Sequence, residues 1–497
     1  MDVQNHSTMI DHVGTHDWKT LINGQLRDAK QGNRFVTYNP ATGEAIAEVP
    51  DCGAADVDDA VAAAVEASRN LRRVPFRQRA AMVRTLAATL REHRDELAYL
   101  DAIDGGSPIA MMRADVDQAC DYMEAMADLA SGLTGDTVGA STDHLHYTVL
   151  EPYGAVARIN AYNHPLLFSA AKSAAPIIAG NGVVVKVPEQ TPLSALRMSE
   201  LFVDLLPPGC LNVLTGKSTE LGRLLVRHPQ VRRIAFTGSE KTGRAIQQDA
   251  ASVAVKHVTL ELGGKNALIA LEDVDPKTVG MEIVRAMNLA PSAGQSCGST
   301  SRILVHSSIA AEVIECMQAQ FEGLRVGNPV DEATDMGPVV SEEQMQKVLC
   351  HIDVAKAEGA QLVAGGGRPK GAETERGYFV APTIFTNVKR DMRIAQEEVF
   401  GPVVSVMTFE NEREAIEIAN SVNFGLTASL WTNDLRAANR MSRDIEVGYV
   451  WVNDSAAHYF GLPFGGYKNS GVGREESIDE LRGYCLTKSV HVAVGDS

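Results

Sequence analysis

The feature that most limits how this chain can fold is an alternation of short apolar runs with segments of helix length. The runs "VLEPYGAVARIN", "GNGVVVKVP", "GCLNVLTG" and "VRRIAFTGS" are rich in β-branched residues and are bounded by Gly or Pro. A helix-length segment separates each run from the next. This spacing is typical of successive βα units, so we expect a parallel sheet.

A second series of apolar runs follows residue 297 and predicts a second α/β domain. It consists of "TSRILVHSSI", "GYFVAPTIF", "VVSVMTFE", "TASLWTN" and "GYVWVN". Ahead of both series, apolar residues at three- and four-residue spacing predict helices over 54–70 and 75–100. We place the boundary between the two domains near residue 263 from the motifs there, since no linker composition marks it.

Length and composition narrow the class of protein. A chain of 497 residues is too long for one ordinary core, so two or three domains are expected. The net charge of -17, without a basic run, argues against nucleic-acid binding. No apolar stretch is long enough to span a membrane, and the polar first 17 residues do not read as a signal sequence. We therefore expect a cytoplasmic protein without a membrane partner.

The cysteines point to chemistry rather than to crosslinks. There are seven, an odd number, spread without a C-x-x-C pair or zinc-like spacing, which favours free thiols in a reducing compartment and no metal site. Cys297 stands out within "GQSCGSTSR", among small polar residues with a charge only at Arg302. A free cysteine usually behaves as a small buried hydrophobe, so these neighbours need another explanation.

Two strand ends carry residues that suit a nucleotide. The turn at Gly238 and Ser239, with Gly243 beyond it, opens a helix whose N-terminus suits a phosphate, although glycine and serine also serve there as ordinary capping residues. Lys186 and Glu189 follow an earlier strand. At such an edge a carboxylate can accept the hydroxyls of an adenosine ribose, and the alternative is a solvated pair of charges.

Two further residues suit catalysis at strand ends. Glu261 precedes Gly263 and Gly264, where it fits a general base or a charge paired with a neighbouring cation. Asn163, before Pro165, fits an oxyanion donor or a side chain that satisfies the local backbone.

The sequence "HLH" at 144–146 raises the possibility of a metal site. Alternate residues of a strand share one face, but no third ligand is evident, so we interpret this segment as an exposed β-arm.

Seven short motifs occur along the chain in an order that indicates a known family. They are "YNHP" with Asn163, "KVPE" with Lys186 and Glu189, "FTGS" at 236–239, "ELGGKN" at 261–266, "GQSC" at 294–297, "EEVFGPV" at 397–403 and "PFGGYKNSGVGRE" at 463–475. Together they resemble the NAD(P)-dependent aldehyde dehydrogenase superfamily, from about residue 22 to nearly the C-terminus.

This resemblance implies an α/β fold with a Rossmann-like cofactor domain, a second α/β catalytic domain and a small β oligomerisation arm. The implied NAD-binding domain comprises 18–132 and 153–262, the catalytic domain 263–463, and the arm 133–152 and 480–497. The arm and the C-terminal strand "KSVHVAV" imply a homotetramer or a homodimer, because exposed strand edges pair with another subunit.

The resemblance also implies the reaction. Cys297 matches the nucleophile, which explains its small neighbours, because an aldehyde carbon must reach the sulfur. Glu261 matches the general base, and the amide of Asn163 with the backbone N–H of Cys297 would stabilise the oxyanion. The aldehyde is oxidised to the acid through a thiohemiacetal and a thioester.

The implied cofactor is NAD, because a carboxylate at Glu189 repels the 2'-phosphate of NADP, and use of NADP is left open. The positions that match cofactor contacts are Lys186, Glu189, Gly238, Ser239, Gly243, Leu262, Glu398 and Phe400.

Substrate choice falls to the residues that match the entry tunnel. These are Tyr162, His164, Leu167, Phe168, Ser296, Tyr459, Phe460 and Phe464. The set is aromatic and lacks an arginine for a second carboxylate, which favours an apolar or aromatic aldehyde. A betaine or amino aldehyde is the alternative within the class, because tyrosines can form a cation-π cage. We interpret His164 as structural rather than as a proton relay.

Two alternatives remain outside this reaction. A CoA-acylating relative typically lacks the glutamate base, and Glu261 argues against it. A catalytically silent structural or binding protein on this fold would be expected to lose Cys297, Glu261 or Asn163, and the sequence retains all three.

Overall fold

The computed structural model describes residues 13–495 of the chain. The strands of this part are β1 (Thr20–Ile22), β2 (Gln25–Arg27), β3 (Arg34–Tyr38), β4 (Ala45–Pro50), β5 (His144–Pro152), β6 (Ala155–Ile159), β7 (Gly182–Lys186), β8 (Leu211–Leu214), β9 (Val231–Gly238), β10 (His257–Leu262), β11 (Ala267–Ala270), β12 (Arg302–His306), β13 (Gln361–Ala364), β14 (Thr383–Thr386), β15 (Val403–Phe409), β16 (Phe424–Gly425), β17 (Thr427–Trp431), β18 (Tyr449–Val452), β19 (Tyr467–Lys468), β20 (Gly471–Val472) and β21 (Cys485–Ala493).

The helices follow the strands in the alternation that the sequence predicts. They are α1 (Ala54–Leu71), α2 (Phe76–Glu92), α3 (Arg94–Gly105), α4 (Ile109–Leu129), α5 (Pro165–Ile178), α6 (Leu193–Phe202), α7 (Thr219–Arg227), α8 (Glu240–Ala251), α9 (Pro276–Ala286), α10 (Leu289–Ser292), α11 (Ala310–Gly323), α12 (Glu342–Ala357), α13 (Arg393–Gln396), α14 (Glu412–Asn420), α15 (Leu435–Asp444) and α16 (Ile478–Gly483). No helix among residues 13–495 has the length and apolar character needed to cross a membrane.

The first sheet has eight strands in the order β2-β1-β8-β7-β6-β9-β10-β20. From β6 the chain adds β7 and β8 on one side and then returns to place β9 on the other, where β6 through β10 run parallel. Strands β6, β7 and β8 are buried along their whole length, as helix-covered parallel strands are. The reversal between β6 and β9 creates the crevice where open α/β sheets bind ligands.

The second sheet has seven strands in the order β13-β14-β15-β12-β11-β17-β18. Its core strands β11, β12, β15 and β17 are parallel, and the order reverses between β11 and β17. The α/β class with two parallel sheets is confirmed. The domain limits given by the sequence remain a prediction. Strand β20, at residues 471–472, follows the predicted end of the catalytic domain at residue 463 and pairs with β10 of the first sheet.

One short connection joins the two sheets. Strand β10 ends at Leu262 and β11 begins at Ala267, so four residues, 263–266, carry the chain from one sheet to the other. The carboxyl edge of the first sheet therefore meets the amino edge of the second. Glu261 lies on the first edge, and Cys297 lies in the loop that leads into β12 on the second.

The predicted helix over 54–70 is confirmed as α1, but the single helix predicted over 75–100 is wrong. His93 leaves the helical conformation, with φ -105° and ψ 18°, and divides that segment into α2 and α3. The His93 ring pairs through Nδ1 with Glu96 at 2.9 Å, so it stabilises the start of the second helix. Apolar periodicity continues through the break, which is why the sequence does not reveal it.

The predicted arm is a two-stranded antiparallel ribbon of β5 and β21, which pair from His144 opposite Ala493 to Pro152 opposite Cys485. The pairing brings His491 against the two histidines of "HLH", with ring centroids 5.2 Å from His144 and 4.7 Å from His146. Within the described chain, no group of three or more His, Cys, Asp or Glu side chains is arranged to hold a metal ion. Residues 1–12, in the segment predicted not to be a signal sequence, and 496–497, at the end of the predicted arm, lie outside the described residues.

Replacing Gly182 with Ala is expected to destabilise the first sheet. A Cβ at Gly182, the first residue of β7, would lie 2.1 Å from the carbonyl oxygen of Ala64 and 2.5 Å from its Cα, both backbone atoms of α1. Overpacking of this kind costs about 1–3 kcal/mol. Thermal unfolding followed by circular dichroism should show a lower midpoint for Gly182→Ala.

The matched control is Gly222→Ala in α7, where a Cβ meets no atom within 4 Å. Alanine is favoured over glycine inside a helix by roughly 0.5–1 kcal/mol, so this midpoint should stay or rise. Equal midpoints for the two variants would contradict the packing of α1 on β7.

Candidate active site

The loop that carries Cys297 is held in an unusual backbone conformation. Ala293 and Gly294, just after α10, have φ angles of 50° and 73°. A Cβ at Gly294 would lie 2.5 Å from the carbonyl oxygen of Gly401, so only glycine fits there. The Gln295 side chain donates to the carbonyl of Ser292 at 3.0 Å and accepts from the backbone N–H of Val340 at 3.1 Å. These contacts fix the approach of the chain to the thiol.

Asn266 fixes the thiol residue itself. Its Nδ2 donates to the carbonyl oxygens of Cys297, at 2.7 Å, and Ser299, at 3.0 Å. Its Oδ1 accepts the backbone N–H of Thr427 in β17 at 3.1 Å. Sequence reasoning included Asn266 only as the last letter of "ELGGKN". One buried amide thus holds the nucleophile loop against the second sheet.

Arg302, the charge nearest to Cys297 in sequence, faces away from the thiol. Its guanidinium donates to the carbonyls of Lys265, Ile418 and Ala419 at 2.7 to 2.8 Å. Burial lowers the pKa of Arg302 to about 9. The Arg302 side chain fixes the start of β12 through these hydrogen bonds, and its charge is not directed at the Cys297 sulfur.

The resting Cys297 thiol is protonated. Burial raises the pKa of Cys297 to about 12, and the nearby carboxylates Glu261, Glu398 and Glu476 act in the same direction. A cysteine in this setting needs a base to take its proton as it attacks, because the thiol is a much weaker nucleophile than the thiolate.

Glu261 is well placed to be that base. It follows the buried part of β10, and neither carboxylate oxygen has a hydrogen-bond partner among the described residues. Burial raises the pKa of Glu261 well above its usual range, and the charge of Glu475 adds to the rise. A Cβ at Gly465 would lie 3.0 Å from Oε1, so the glycine leaves room beside the carboxylate. Both oxygens remain available for a proton or a water.

A buried ion network lies beside the base. Glu475 accepts from Arg158 at 2.6 Å and pairs with Lys172 at 2.9 Å. Burial acts to raise the pKa of Glu475, but the two cations outweigh it and lower that pKa to about 2. Glu475 therefore carries a negative charge, which adds to the effect of burial in raising the pKa of its neighbour Glu261.

Asn163 lies buried in the turn between β6 and α5. Its side chain makes no hydrogen bond to another residue of the described chain, so the interpretation that it satisfies local backbone gains no support. The helix start is tied instead by Asp101, which accepts the backbone N–H of Leu166 at 3.2 Å. The Asn163 amide is thus available to a ligand.

The residues matched to the adenosine end of the cofactor are found at or after the ends of β7 and β9, which lie on either side of β6, at the carboxyl edge of the first sheet. Lys186 ends β7 and binds Glu189 at 3.2 Å. Ser239 caps α8 by accepting the backbone N–H of Thr242, and a Cβ at Gly243 would lie 2.8 Å from the Leu262 side chain. The glycine lets α8 pack closely on β10, so its N-terminus faces the crevice. A helix N-terminus beside a Lys–Glu pair fits a dinucleotide.

The other end of the crevice is bounded by Glu398 and Phe400. Glu398 accepts the backbone N–H of Gly264 at 3.0 Å, and a Cβ at Gly263 would lie 2.0 Å from its Oε2. Phe400 has a φ of 57° and its ring lies 5.8 Å from that of Tyr162. The four-residue connection between the sheets therefore also receives the carboxylate matched to the nicotinamide ribose.

A cavity of about 570 Å³ opens onto Cys297 and Glu261. Of the residues matched to the tunnel, those that line it are His164, Leu167, Phe168, Ser296, Phe460 and Phe464. Tyr162 and Tyr459 are outside this lining. Tyr162 packs against Phe400, and Tyr459 is 74% exposed. The aromatic tunnel stays a prediction; among the lining residues, Tyr122, Phe168, Trp451, Phe460 and Phe464 are aromatic.

Several lining residues escaped sequence reasoning, namely Asp115, Arg285, Trp451 and His458. The expectation of a wall without arginine is wrong, but Arg285 is already paired. It binds Glu282 at 2.7 Å and Asp454 at 2.6 Å, and donates to the carbonyl of Ser455. These residues lie on α4, α9, β18 and the loop after β18, and nothing in the sequence indicates that these elements meet.

The comparisons with known proteins agree with this geometry. A sequence model of the aldehyde dehydrogenase family matches residues 26–490, and the chain belongs to that family. The aldehyde dehydrogenase tropH of Talaromyces stipitatus is 43% identical over 485 residues, which cover 96% of this chain and 92% of that protein.

Solved structures give the same result. An aldehyde dehydrogenase of Bacillus cereus in complex with NAD+ superposes with a TM-score of 0.94 at 37% identity, covering 98% of this chain and 99% of that one. An apo betaine aldehyde dehydrogenase of Staphylococcus aureus, solved as a point mutant, gives a TM-score of 0.94 at 34% identity, covering 100% and 99%. The chain is an NAD-dependent aldehyde dehydrogenase.

Alkylation of Cys297 should report its raised pKa. We expect slow modification by iodoacetamide near pH 7 and a rate that still rises at about pH 10, because only the thiolate reacts. Glu261→Gln removes one of the negative charges that raise the pKa, so its profile should shift to lower pH. Mass spectrometry of the Cys297 peptide measures both rates.

The exposed Cys350 is the internal reference in each sample. Its rate should not depend on residue 261. A plateau near neutral pH for Cys297, or identical profiles with Glu and Gln at 261, would contradict the electrostatics described above.

Proposed function

We propose that this enzyme oxidises an apolar or aromatic aldehyde to the carboxylic acid with NAD, using Cys297 as nucleophile, Glu261 as base and Asn163 as oxyanion donor. The observation that carries the proposal is the shared cavity, which is lined by the half-buried thiol of Cys297, by the carboxylate of Glu261 with two free oxygens, and by several aromatic side chains. A volume of about 570 Å³ is in the range of small-molecule sites.

The first step is addition of the Cys297 sulfur to the aldehyde carbon. The thiol proton passes to Glu261 through water as the bond forms, since the resting thiol is neutral. The aldehyde oxygen becomes an alkoxide, which the Asn163 amide and the backbone N–H of Cys297 would stabilise. Asn266 holds that backbone in place through the Cys297 carbonyl.

The thiohemiacetal carbon then loses a hydride and becomes a thioester. NAD would supply the hydride acceptor when bound in the crevice, where Lys186 and Glu189 would hold it at one end and Glu398 and Phe400 at the other. Glu261 then releases the thiol proton to solvent and takes a proton from water, whose oxygen attacks the thioester. The thiolate leaves, the acid departs, and the proton held by Glu261 re-forms the thiol.

The wall favours an apolar or aromatic body over a quaternary ammonium group. The betaine aldehyde alternative rests on a tyrosine cage, and neither Tyr162 nor Tyr459 lines the cavity. The two basic side chains of the lining, Lys172 and Arg285, are paired with Glu475 and with Glu282 and Asp454. A substrate carboxylate would therefore find no unpaired cation in this lining.

We further propose a homotetramer in the cytoplasm. The β5–β21 ribbon presents exposed strand edges, which favour pairing with another subunit. The seven cysteines are free thiols, as a reducing compartment favours.

Substitutions at the three proposed catalytic positions should separate the steps. Cys297→Ala should abolish NADH formation, and Asn163→Ala should lower kcat by roughly 100- to 1000-fold through loss of one oxyanion donor. Glu261→Gln should lower steady-state turnover and leave the thioester on Cys297 detectable by mass spectrometry.

The control for these variants is Cys350→Ala, at an exposed cysteine, which should keep the wild-type rate. NADH absorbance with benzaldehyde measures all four. Full activity in Cys297→Ala would rule out the proposed nucleophile.

Cofactor selectivity should depend on Glu189. The carboxylate repels a 2'-phosphate, so the wild type should prefer NAD, and Glu189→Gln should raise the ratio of kcat/KM for NADP to that for NAD by about tenfold or more. Glu240→Gln, on the first turn of α8, is the matched substitution. An equal change in both variants would show that general charge, and not position 189, sets the preference.

A further inference from the structure

Two histidines on the cavity wall are each bound to a carboxylate through Nδ1. His164 pairs with Asp115 at 2.6 Å, and His458 pairs with Glu476 at 3.0 Å. All four side chains belong to the cavity lining. In each ring the partner at Nδ1 leaves Nε2 as the second hydrogen-bonding atom. The mechanism above uses none of these groups.

The His164–Asp115 pair is not the only side-chain contact that holds the start of α5. Asp115 lies on α4 and His164 directly precedes α5. Asp101 already binds the start of α5 at Leu166. Apolar side chains such as Met112 and Leu166 are buried in the same core. A buried carboxylate is costly without a partner, so what the pair adds is a polar atom on an apolar wall.

The protonation state of His164 decides whether Nε2 donates or accepts a hydrogen bond. Burial acts to lower the pKa of His164, but the carboxylate of Asp115 outweighs it and the net shift is upward. The charged ring donates from Nε2, and the neutral ring with its proton on Nδ1 accepts there. An acidic hydroxyl, phenolic or enolic, fits both states, because it donates as the acid and accepts as the anion.

The surroundings of His164 suit a flat ring. The Phe168 ring packs edge-on at 5.5 Å and 70°, and the lining continues with Leu167, Phe460 and Phe464. His164 lines the same cavity as Cys297 and Glu261, so a group bound at its ring would share that cavity with the reacting carbonyl. Lys172 and Arg285 are paired with other carboxylates, so they are not free to bind a substrate carboxylate.

We propose that the substrate is a ring aldehyde that carries an acidic hydroxyl, and that this hydroxyl binds Nε2 of His164. The proposal rests on the function proposed above and names the substrate class of the same site. His164 selects among aldehydes, and Asp115 positions its ring.

The test compares benzaldehyde with 2-, 3- and 4-hydroxybenzaldehyde, with NAD and the full-length enzyme. For wild type, at least one hydroxylated isomer should exceed benzaldehyde in kcat/KM by about 10- to 100-fold, the range expected for a hydrogen bond to a charged group. His164→Phe should remove most of that preference. His164→Gln, whose amide both donates and accepts, should restore part of it.

The matched control is His93→Phe. His93 also binds a glutamate through Nδ1, at 2.9 Å from Glu96, but it lies between α2 and α3 and not on the cavity wall. Its preference should equal that of the wild type. Circular dichroism verifies that each variant is folded. If His164→Phe does not fold, the preference measured for His164→Gln tests the proposal.

Three results would overturn the inference: no hydroxylated isomer preferred by the wild type, an unchanged preference in His164→Phe, or loss of the preference only in His458→Phe. In each of these cases aldehydes are still oxidised in a Cys297-dependent way. Failure of the proposed function looks different, since no aldehyde would then give NADH that disappears in Cys297→Ala.

Discussion

The structure depends on one buried amide at the junction of two sheets. Asn266 ends the four-residue connection from β10 to β11 and binds Cys297, Ser299 and Thr427 through its two polar atoms. The connection is short, so Glu261, near the end of β10, cannot move far from the loop that Asn266 holds. The spacing of the backbone at Glu261 and Cys297, the proposed base and nucleophile, is therefore fixed by the fold.

Several carboxylates lie near Cys297 at the same junction. Glu261, Glu398 and Glu476 all act to raise the pKa of Cys297, and burial does so more strongly. The cations nearby are committed elsewhere, since Lys172 and Arg158 bind Glu475 and Arg302 binds carbonyls. These surroundings raise the pKa of the half-buried Cys297 thiol, so a base is needed to take its proton when it attacks.

Sequence alone predicts the parts of this fold that local patterns determine. The β-branched runs after residues 149 and 300 each contain a strand, because a buried parallel strand must be apolar along its length. The break at His93 escapes prediction, since the apolar period of α2 continues into α3. Asp115 escapes it too, because it sits on a helix 49 residues from His164 and its partner is set by tertiary packing. The motifs name Cys297, Glu261 and Asn163, but they do not reveal the amide that holds the junction together.

The residues proposed to react with the aldehyde and those proposed to select it lie on different parts of the fold. The proposed reacting groups lie at strand ends and in the connections that follow them, where the two sheets fix the backbone. The selecting groups come from α4, α9, the start of α5 and the loop after β18, which meet only in the folded chain. A change at Asp115 or His164 can alter the wall without moving Asn266 or Glu261, because no hydrogen bond joins the two sets within the described residues. The same catalytic residues can therefore be combined with different cavity walls. The side chains that would distinguish one aldehyde from another lie outside the sequence motifs.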